Sequence, residues 1–393
     1  MTSALLVGLG VALGLLALHP FVGYPLSLAL LRRLRGPRAL AATARLEEPT
    51  FTVCMCAYNE ARTIAAQVDR LVALRRATPG LQILVYVDAA TDGTTDILRG
   101  YGDRIELVVG TQRQGKSHGM NRLMAQARGS IVVFTDAAAL IDPDILENLR
   151  PWFDDPTVGC VCGSVLVRNG DASAAAQVGS LYWRFDDAVR RLESACGSVM
   201  GAHGPLFAVR RALHRAPPDH IIDDMYVSLS VLCEGHRVVL APDVRVWRTS
   251  AAAVGDEFRR KVRIACQAWN VHRLVWPRLR RLDALTVYQY LSHKPLRWLS
   301  GVTLAGSALC LGAAAVLAGQ SWIALGGGIA AAVVYLLGYR LGIRPFAGIA
   351  SLLAALVANA VGIVAALRGE RYQTWQPAAS ARLSLPPGPR SRP

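Results

Sequence analysis

Residues 3 to 31 contain no Asp, Glu, Lys or Arg. About 20 consecutive apolar residues carry a helix across a bilayer. The stretch therefore predicts one transmembrane helix within residues 1–31, kinked near Pro20. It is too long for a signal-peptide core and lacks a basic start, so it is expected to stay on the chain. Arg32, Arg33, Arg35 and Arg38 follow at once in a basic linker over residues 32–50. Cationic flanks stay on the cytoplasmic side, which puts the next domain in the cytoplasm of a multi-pass protein of the cell membrane.

Val302 to Gly319, Trp322 to Tyr339 and Phe346 to Leu367 are again apolar, broken by Gln320, Arg340 and the Arg344-Pro345 step. They predict about three more helices within residues 300–368. Three full crossings would carry Arg368, Arg371 and Trp375 to the far side, against the charge rule. Either one helix is re-entrant or the rule fails; the sequence leaves the parity open. Leu285 to Leu299 mixes Tyr288, Tyr290 and Trp298 with His293, Lys294 and Arg297, as an amphipathic helix at the interface would, within residues 276–299. Residues 369–393 read as a polar tail, with Pro386 to Pro393 disordered.

Composition fits a chain partly in lipid. Hydrophobic residues make up 52% and charged ones 18%, which excludes a disordered chain. The net charge of +15 suits an anionic membrane face or a nucleotide phosphate. Nucleic acid is not an expected partner, because the arginines are scattered and no basic run is interleaved with aromatics. Lys116, Lys261 and Lys294 are the only lysines, so a phosphate grip relies mostly on arginine. Cys54/Cys56 and Cys160/Cys162 lie in apolar runs where alternate residues share a face, and read as small core hydrophobes rather than zinc ligands.

Residues 51–275 alternate between strand and helix patterns. Strand-like runs recur at Thr52–Ala57, Ile83–Val87, Ile105–Val109, Ile131–Thr135 and Gly159–Val167, separated by helical patterns at Glu60–Arg76, Lys116–Ala127 and Asp144–Phe153. Such a series predicts an α/β domain with a mostly parallel, doubly wound sheet. Its ligands bind at the carboxyl ends of the strands, where Asp88 and Asp136 end apolar runs. Asp88 and Asp92 suit either a nucleoside contact or a helix cap. Arg113-Gln114-Gly115-Lys116 brings backbone donors and a cation to a helix amino end, a place for phosphate. Asp136 suits a divalent cation bridging a diphosphate; Asp142 and Asp144 read as caps of the next helix. Asp223-Asp224 opens the pattern Met225–Cys233, either as a helix start or as paired carboxylates of which one becomes a general base. Arg259, Arg260, Lys261 and Arg263 cluster on one later helix and suit a diphosphate or an anionic lipid face.

In order and spacing these pieces resemble the membrane-integrated glycosyltransferases of family 2. The carriers are Ala57-Tyr58-Asn59-Glu60, Val87-Asp88-Ala89-Ala90-Thr91-Asp92-Gly93-Thr94, Gly115-Lys116 with Asn121, Phe134-Thr135-Asp136, Gly201-Ala202-His203-Gly204, Asp223-Asp224 and Arg260-Lys261-Val262-Arg263-Ile264. The resemblance implies a GT-A nucleotide-sugar-binding fold with flanking transmembrane helices. It places Glu60, Asp88, Lys116 and Asp136 at the donor, with Asp136 also holding Mg²⁺ or Mn²⁺, and makes Asp224 the catalytic base. It places Gly201, His203, Gly204, Asp223, Arg260, Lys261 and Arg263 at the acceptor or the diphosphate. Two departures stand out. The metal motif reads Asp136-Ala137-Ala138, without a second acid, and the cationic motif lacks both Gln and Trp, with Ile264 in the place of the Trp. The implied reaction moves a sugar from a nucleoside diphosphate sugar to a lipid-linked or polysaccharide acceptor by inverting displacement. A processive polysaccharide synthase and a non-catalytic nucleotide-sugar sensor stay open as alternatives.

Overall fold

The computed structural model describes residues 2–36, 48–167, 174–248, 254–343 and 346–375. Arg38, the Arg344-Pro345 step and the Pro386–Pro393 tail lie outside them. Helices α1 (Thr2–Leu18) and α2 (Gly23–Arg35) meet at a 60° bend. At 1.5 Å per residue α1 is about 26 Å long, close to the hydrocarbon thickness by itself. It packs along a later helix, where Ser307 Oγ donates to the Gly10 carbonyl at 2.7 Å. The kink expected near Pro20 is thus a break, and α2 turns onto the soluble domain with Tyr24 and Leu28 fully buried. Leu26, Leu30 and Leu34, four residues apart, share the opposite, exposed face.

The soluble domain runs β1 (Phe51–Ala57), α3 (Ile64–Ala77), β2 (Gln82–Val87), α4 (Thr94–Arg99), β3 (Glu106–Val109), α5 (Lys116–Met124), β4 (Ile131–Asp136), β5 (Leu140–Ile141), α6 (Ile145–Leu149) and β6 (Val158–Val167). Then come α7 (Ala174–Cys196), β7 (Leu206–Arg210), α8 (Asp223–Cys233), β8 (Arg237–Arg248) and α9 (Val254–Leu279). The eight strands form one sheet in the order β3-β2-β1-β4-β7-β6-β8-β5. Its first half, β3-β2-β1-β4, is parallel as expected. The second half is mixed, because β7 runs antiparallel to both β4 and β6 while β6 and β8 pair in parallel. Alternation along the strands fills two cores. Val53, Met55, Ile83, Val85 and Val133 point to one face, and Cys54, Cys56, Leu84, Tyr86 and Phe134 to the other. Cys160 and Cys162 join the second core, so both C-x-C pairs are packed as small apolar side chains.

The chain continues as α10 (Ala284–His293), α11 (Pro295–Leu317), α12 (Ser321–Val333, extended by a π-helical turn to Arg340) and α13 (Phe346–Leu367). Three of these, Pro295–Leu317, Ser321–Arg340 and Phe346–Leu367, are long and apolar enough to cross a membrane, and the bent α1–α2 pair makes a fourth if counted as one. The segment Leu285–Leu299 is split at Lys294-Pro295, and much of its polar side turns inward: Gln289, Tyr290, His293 and Arg297 are buried. The proline ring cannot donate to the helix ladder, which accounts for the break. Both ends of the 295–367 segment lie against the soluble domain. Arg297 pairs with Asp186 at 2.5 Å, and beyond α13 the Glu370 carbonyl accepts from Asn270 at 3.3 Å.

Candidate active site

Three elements, β4, α5 and α8, deliver charge to one place at the carboxyl end of β4. Gly115, at φ +91°, turns the chain into α5, and Lys116 is its first residue. Lys116 Nζ donates to Asp136 Oδ1 at 2.8 Å and lies 3.4 Å from Asp223 Oδ2. Asp223 and Asp224 form the first turn of α8, where the helix dipole favours carboxylates. Burial first, then the Asp223 carboxylate, push the Asp224 carboxyl up to about 7, while Lys116 and the Met225 amide pull the other way. Burial opposes ionisation of Asp136, but Lys116 outweighs it and holds that carboxyl below its ordinary range. Burial likewise works against the Lys116 ammonium, and Asp136, Asp223 and Asp224 together keep it above its ordinary value. The result is two ionised groups in contact beside one acid poised near neutrality.

The Gly201–Gly204 turn closes over this cluster. A Cβ on Gly204 would lie 3.0 Å from Asp224 Oδ2 and 3.2 Å from Lys116 Nζ, so the backbone reaches the acids only without a side chain. Ser228, one turn into α8, fixes the turn by accepting from the Ala202 amide at 2.8 Å while donating to the Asp224 carbonyl at 2.6 Å. Nothing in the sequence motif singles out Ser228; its i+4 position after Asp224 is the only signal. His203 sits edge-on to Trp183 at 4.9 Å and within 3.3 Å of Asp186. Burial and the positive charge of Arg190 push its imidazole down to about 3, so it stays neutral.

The remaining donor-side residues organise the loops. Asp88 is fully buried, and its two oxygens accept from the amides of Gln114 and Gly115 at 2.8 and 3.0 Å. It holds the loop before α5 rather than facing an open pocket. Glu60 accepts from Thr63 Oγ1 at 2.8 Å and anchors the start of α3. Asp92 accepts from the amides of Ala61 and Thr94 in the turn before α4, whose cap position is Gly93. Asp142 accepts instead from the Trp247 indole at 2.7 Å, tying β8 to the loop after β5. Asp144 stands at the start of α6 without a side-chain capping bond.

Helix α9 carries the cationic motif. Arg260 and Arg263, three residues apart, share a face. Arg263 is pushed down to about 10 by burial and by Arg260 and is supported by Asp136, Asp224 and Asp223, which puts it in the field of the acid cluster. Arg260 in turn acts on Asp136. Lys261 is lowered by burial and lies 3.8 Å from Glu257, the carboxylate that also pairs with Arg260 at 3.1 Å. Arg248, at the end of β8, faces the same cluster: burial and Arg260 push it down to about 10, with Asp136 opposing. The sequence motifs pass over Arg248. A C-terminal strap bearing Trp375 crosses the loop before α5. Gln373 donates to the Gln114 carbonyl at 2.9 Å, and Arg113 stacks over Tyr58 at 3.5 Å while donating to the Trp375 carbonyl.

The described residues contain no group of three or more His, Cys, Asp or Glu placed to hold a metal. Asp136 offers one carboxylate, with Lys116 on one oxygen, and its side chain is 39% exposed. That donor fits a divalent ion only when phosphate oxygens complete the shell.

The chain matches known proteins along this domain. The family model described as glycosyltransferase like family 2 matches residues 49–267. A poly-beta-1,6-N-acetyl-D-glucosamine synthase of Staphylococcus aureus is 22% identical over 226 residues, covering 55% of this chain and 53% of that protein. An N-acetylglucosaminyltransferase of a Rhizobium species (strain N33) is 23% identical over 235 residues, covering 55% and 52%. The chain thus spans about half the length of these relatives. Among solved structures, a mannosyltransferase of Pyrobaculum calidifontis, in complex with GDP-Man and Mn²⁺, superposes with a TM-score of 0.68 at 26% identity, covering 91% of this chain and 99% of that one. With more than half of its length matched by the family model and a GT-A neighbour spanning nearly all of it, the chain belongs to glycosyltransferase family 2.

Proposed function

We propose that the chain is a membrane-attached, inverting sugar transferase that uses a nucleoside diphosphate sugar, with Asp224 as its general base. The observation that carries this reading is the Asp224 carboxyl, pushed up to about 7 beside the Lys116–Asp136 pair. A base is most effective when its pKa lies near the working pH. Asp224 takes the proton of an acceptor hydroxyl, whose oxygen bonds to the anomeric carbon as the bond to the diphosphate breaks. Lys116, Arg260 and Arg263 compensate the charge that grows on the leaving diphosphate. A divalent ion on Asp136, such as the Mn²⁺ of the mannosyltransferase neighbour, would neutralise part of the same charge. Asp88 acts through the Gln114–Gly115 loop that receives the nucleoside, and Glu60 through the turn before α3. Gly201, Gly204 and Asp223 shape the space between donor and acceptor.

The membrane arrangement follows from the same residues. Because both ends of the 295–367 segment contact the soluble domain, an even number of full crossings joins them. We assign the crossings to α11 and α13, with the Ser321–Arg340 helix tilted or re-entrant, and the domain to the cytoplasmic side of the cell membrane beside Arg32, Arg33 and Arg35. A processive synthase is the second reading, favoured by the poly-N-acetylglucosamine synthase among the relatives and opposed by Ile264.

The test is a nucleotide-sugar panel including GDP-mannose and UDP-N-acetylglucosamine on the purified full chain. It scores thermal stabilisation and release of nucleoside diphosphate, with Mn²⁺ or Mg²⁺ and after chelation. Stabilisation by no member of the panel would sink the transferase reading. A ladder of product lengths favours polymerisation, and one product per acceptor favours single transfer.

A further inference from the structure

Helix α7 carries a second set of charges that the reaction above does not use. Trp183, Asp186, Asp187, Arg190 and Glu193 recur at three- and four-residue spacing, so they share one face. Each carboxylate on this face is already engaged. Asp186 pairs with Arg297 at 2.5 Å and touches His293 at 3.4 Å and His203 at 3.3 Å. Glu193 accepts from Tyr24 at 2.5 Å and contacts His293 Nδ1 at 2.6 Å. Asp187 accepts from Ser164 at 3.0 Å and from Arg191 at 2.6 Å.

Arg190 is the exception. It is 1% exposed, and none of its three guanidinium nitrogens has a hydrogen-bond partner among the described residues. Its near neighbours are the Cys162 thiol, a weak sulfur acceptor within reach of it, and His203, so no oxygen acceptor meets it. A buried guanidinium without an oxygen acceptor carries a large desolvation penalty, which an anion would offset. Arg190 lines a narrow cleft of about 10 Å³, room for about one oxygen atom, together with Gly163, Val165, Trp183, Asp187 and His203. Lys294 stands at the Gly201 end of the same turn, with its Nζ 3.7 Å from where a Gly201 Cβ would be. It makes no ion pair among the described residues, and burial pushes it down to about 8.

This cleft is separate from the donor side. Trp183 stands between the two, with Arg248 over its ring at 5.6 Å and His203 edge-on at 4.9 Å. The Gly201–Gly204 turn links them, since Gly204 abuts Asp224 while His203 lines the cleft. On its membrane side α7 packs on α2 through Phe185, Val189 and Leu192 against Tyr24 and Leu28.

We propose that Arg190, with Lys294, binds an oxyanion group, phosphate or carboxylate, of the acceptor, held on the far side of the Gly201–Gly204 turn from the donor diphosphate. The acceptor is then an anionic molecule, either a lipid whose apolar part follows α2 or a water-soluble acid. Naming the anion as part of an acceptor rests on the transferase reading; the anion site itself does not.

The experiment uses the full chain in detergent and three probes: dioctanoyl phosphatidic acid, dioctanoylglycerol and inorganic phosphate. Saturable thermal stabilisation by phosphatidic acid or phosphate, and none by dioctanoylglycerol, is expected. Arg190→Gln weakens it by roughly 10- to 100-fold, the scale of lost hydrogen bonds to a charged group. Arg190→Lys recovers part, and Lys294→Gln weakens it several-fold. Stabilisation by GDP or UDP serves as the check that each variant is folded. Phosphatidic acid binding far more tightly than phosphate identifies a lipid headgroup, and equal binding identifies a soluble acid. Failure of both anions to stabilise the native chain, or Arg190→Gln and Lys294→Gln binding like it, overturns the proposal. Anion binding without stabilisation by any nucleotide or nucleotide sugar would instead overturn the transferase reading and leave the anion site standing.

Discussion

Replacing Asp224 by Asn tests the acid cluster through two independent readouts. In the folded chain the carboxyl rises from an ordinary 3.8 to about 7, by burial first and Asp223 second. The folded state therefore keeps this proton to a higher pH than the unfolded chain does. Its contribution to stability is fully present below about pH 4 and is lost as the pH rises through about 7. A shift of this size corresponds to about 4 kcal/mol as an upper bound, at 1.36 kcal/mol per unit. Asp224→Asn has no proton to lose, so its stability relative to the native chain improves by up to that amount between about pH 4 and pH 8. Thermal unfolding of both proteins across that range, in one detergent and salt, measures the difference. The same variant abolishes turnover, and in the native chain the rate rises with pH through about 7 as the base ionises. Parallel pH–stability curves for the two proteins would refute the raised carboxyl. Normal turnover by the variant would refute the base.

Gly204→Ala puts a methyl group 3.0 Å from Asp224 Oδ2 and 3.2 Å from Lys116 Nζ, so both side chains must give by a few tenths of an ångström; turnover falls by less than the roughly 100-fold of a 1 Å misplacement while circular dichroism stays native. Ser228→Ala leaves the buried Ala202 amide without its acceptor, which lowers stability by about 1 to 3 kcal/mol, read by chemical unfolding, and lowers turnover as the Gly201–Gly204 turn loosens. Arg263→Gln, facing the acids, lowers kcat by roughly 100-fold or more, the usual loss for one group that stabilises transition-state charge. Lys261→Gln, next to Glu257, changes it much less, and equal effects would show that the helix presents both side chains to the diphosphate.

The GT-A family, the strand-ending Asp88 and Asp136, the helix-starting Lys116 and the Asp223-Asp224 pair were legible in the sequence. Each rests on local order: apolar periodicity, a turn glycine, a residue type at an element's end. The apolar helices were legible for the same reason, since lipid demands long uninterrupted runs. The antiparallel insertion of β7 was not, because strand order depends on pairings between segments far apart in the chain, such as Phe134 with Phe207. The inward turn of His293 and Arg297 was hidden too. An amphipathic pattern marks a polar face without saying whether water, lipid headgroups or a buried carboxylate such as Asp186 will meet it.

Local pattern alone, then, determined which stretches are strand, helix or membrane-seeking, and which acids and cations stand at element ends. Tertiary structure alone decided that Asp224 becomes a raised acid, that Ser228 braces the glycine turn, that Arg248 joins the cluster and that Arg190 is buried without an oxygen acceptor. The reason is physical. Periodicity and propensity act over a few residues, whereas desolvation and Coulombic pairing depend on which distant groups the completed fold brings within a few ångströms of one another.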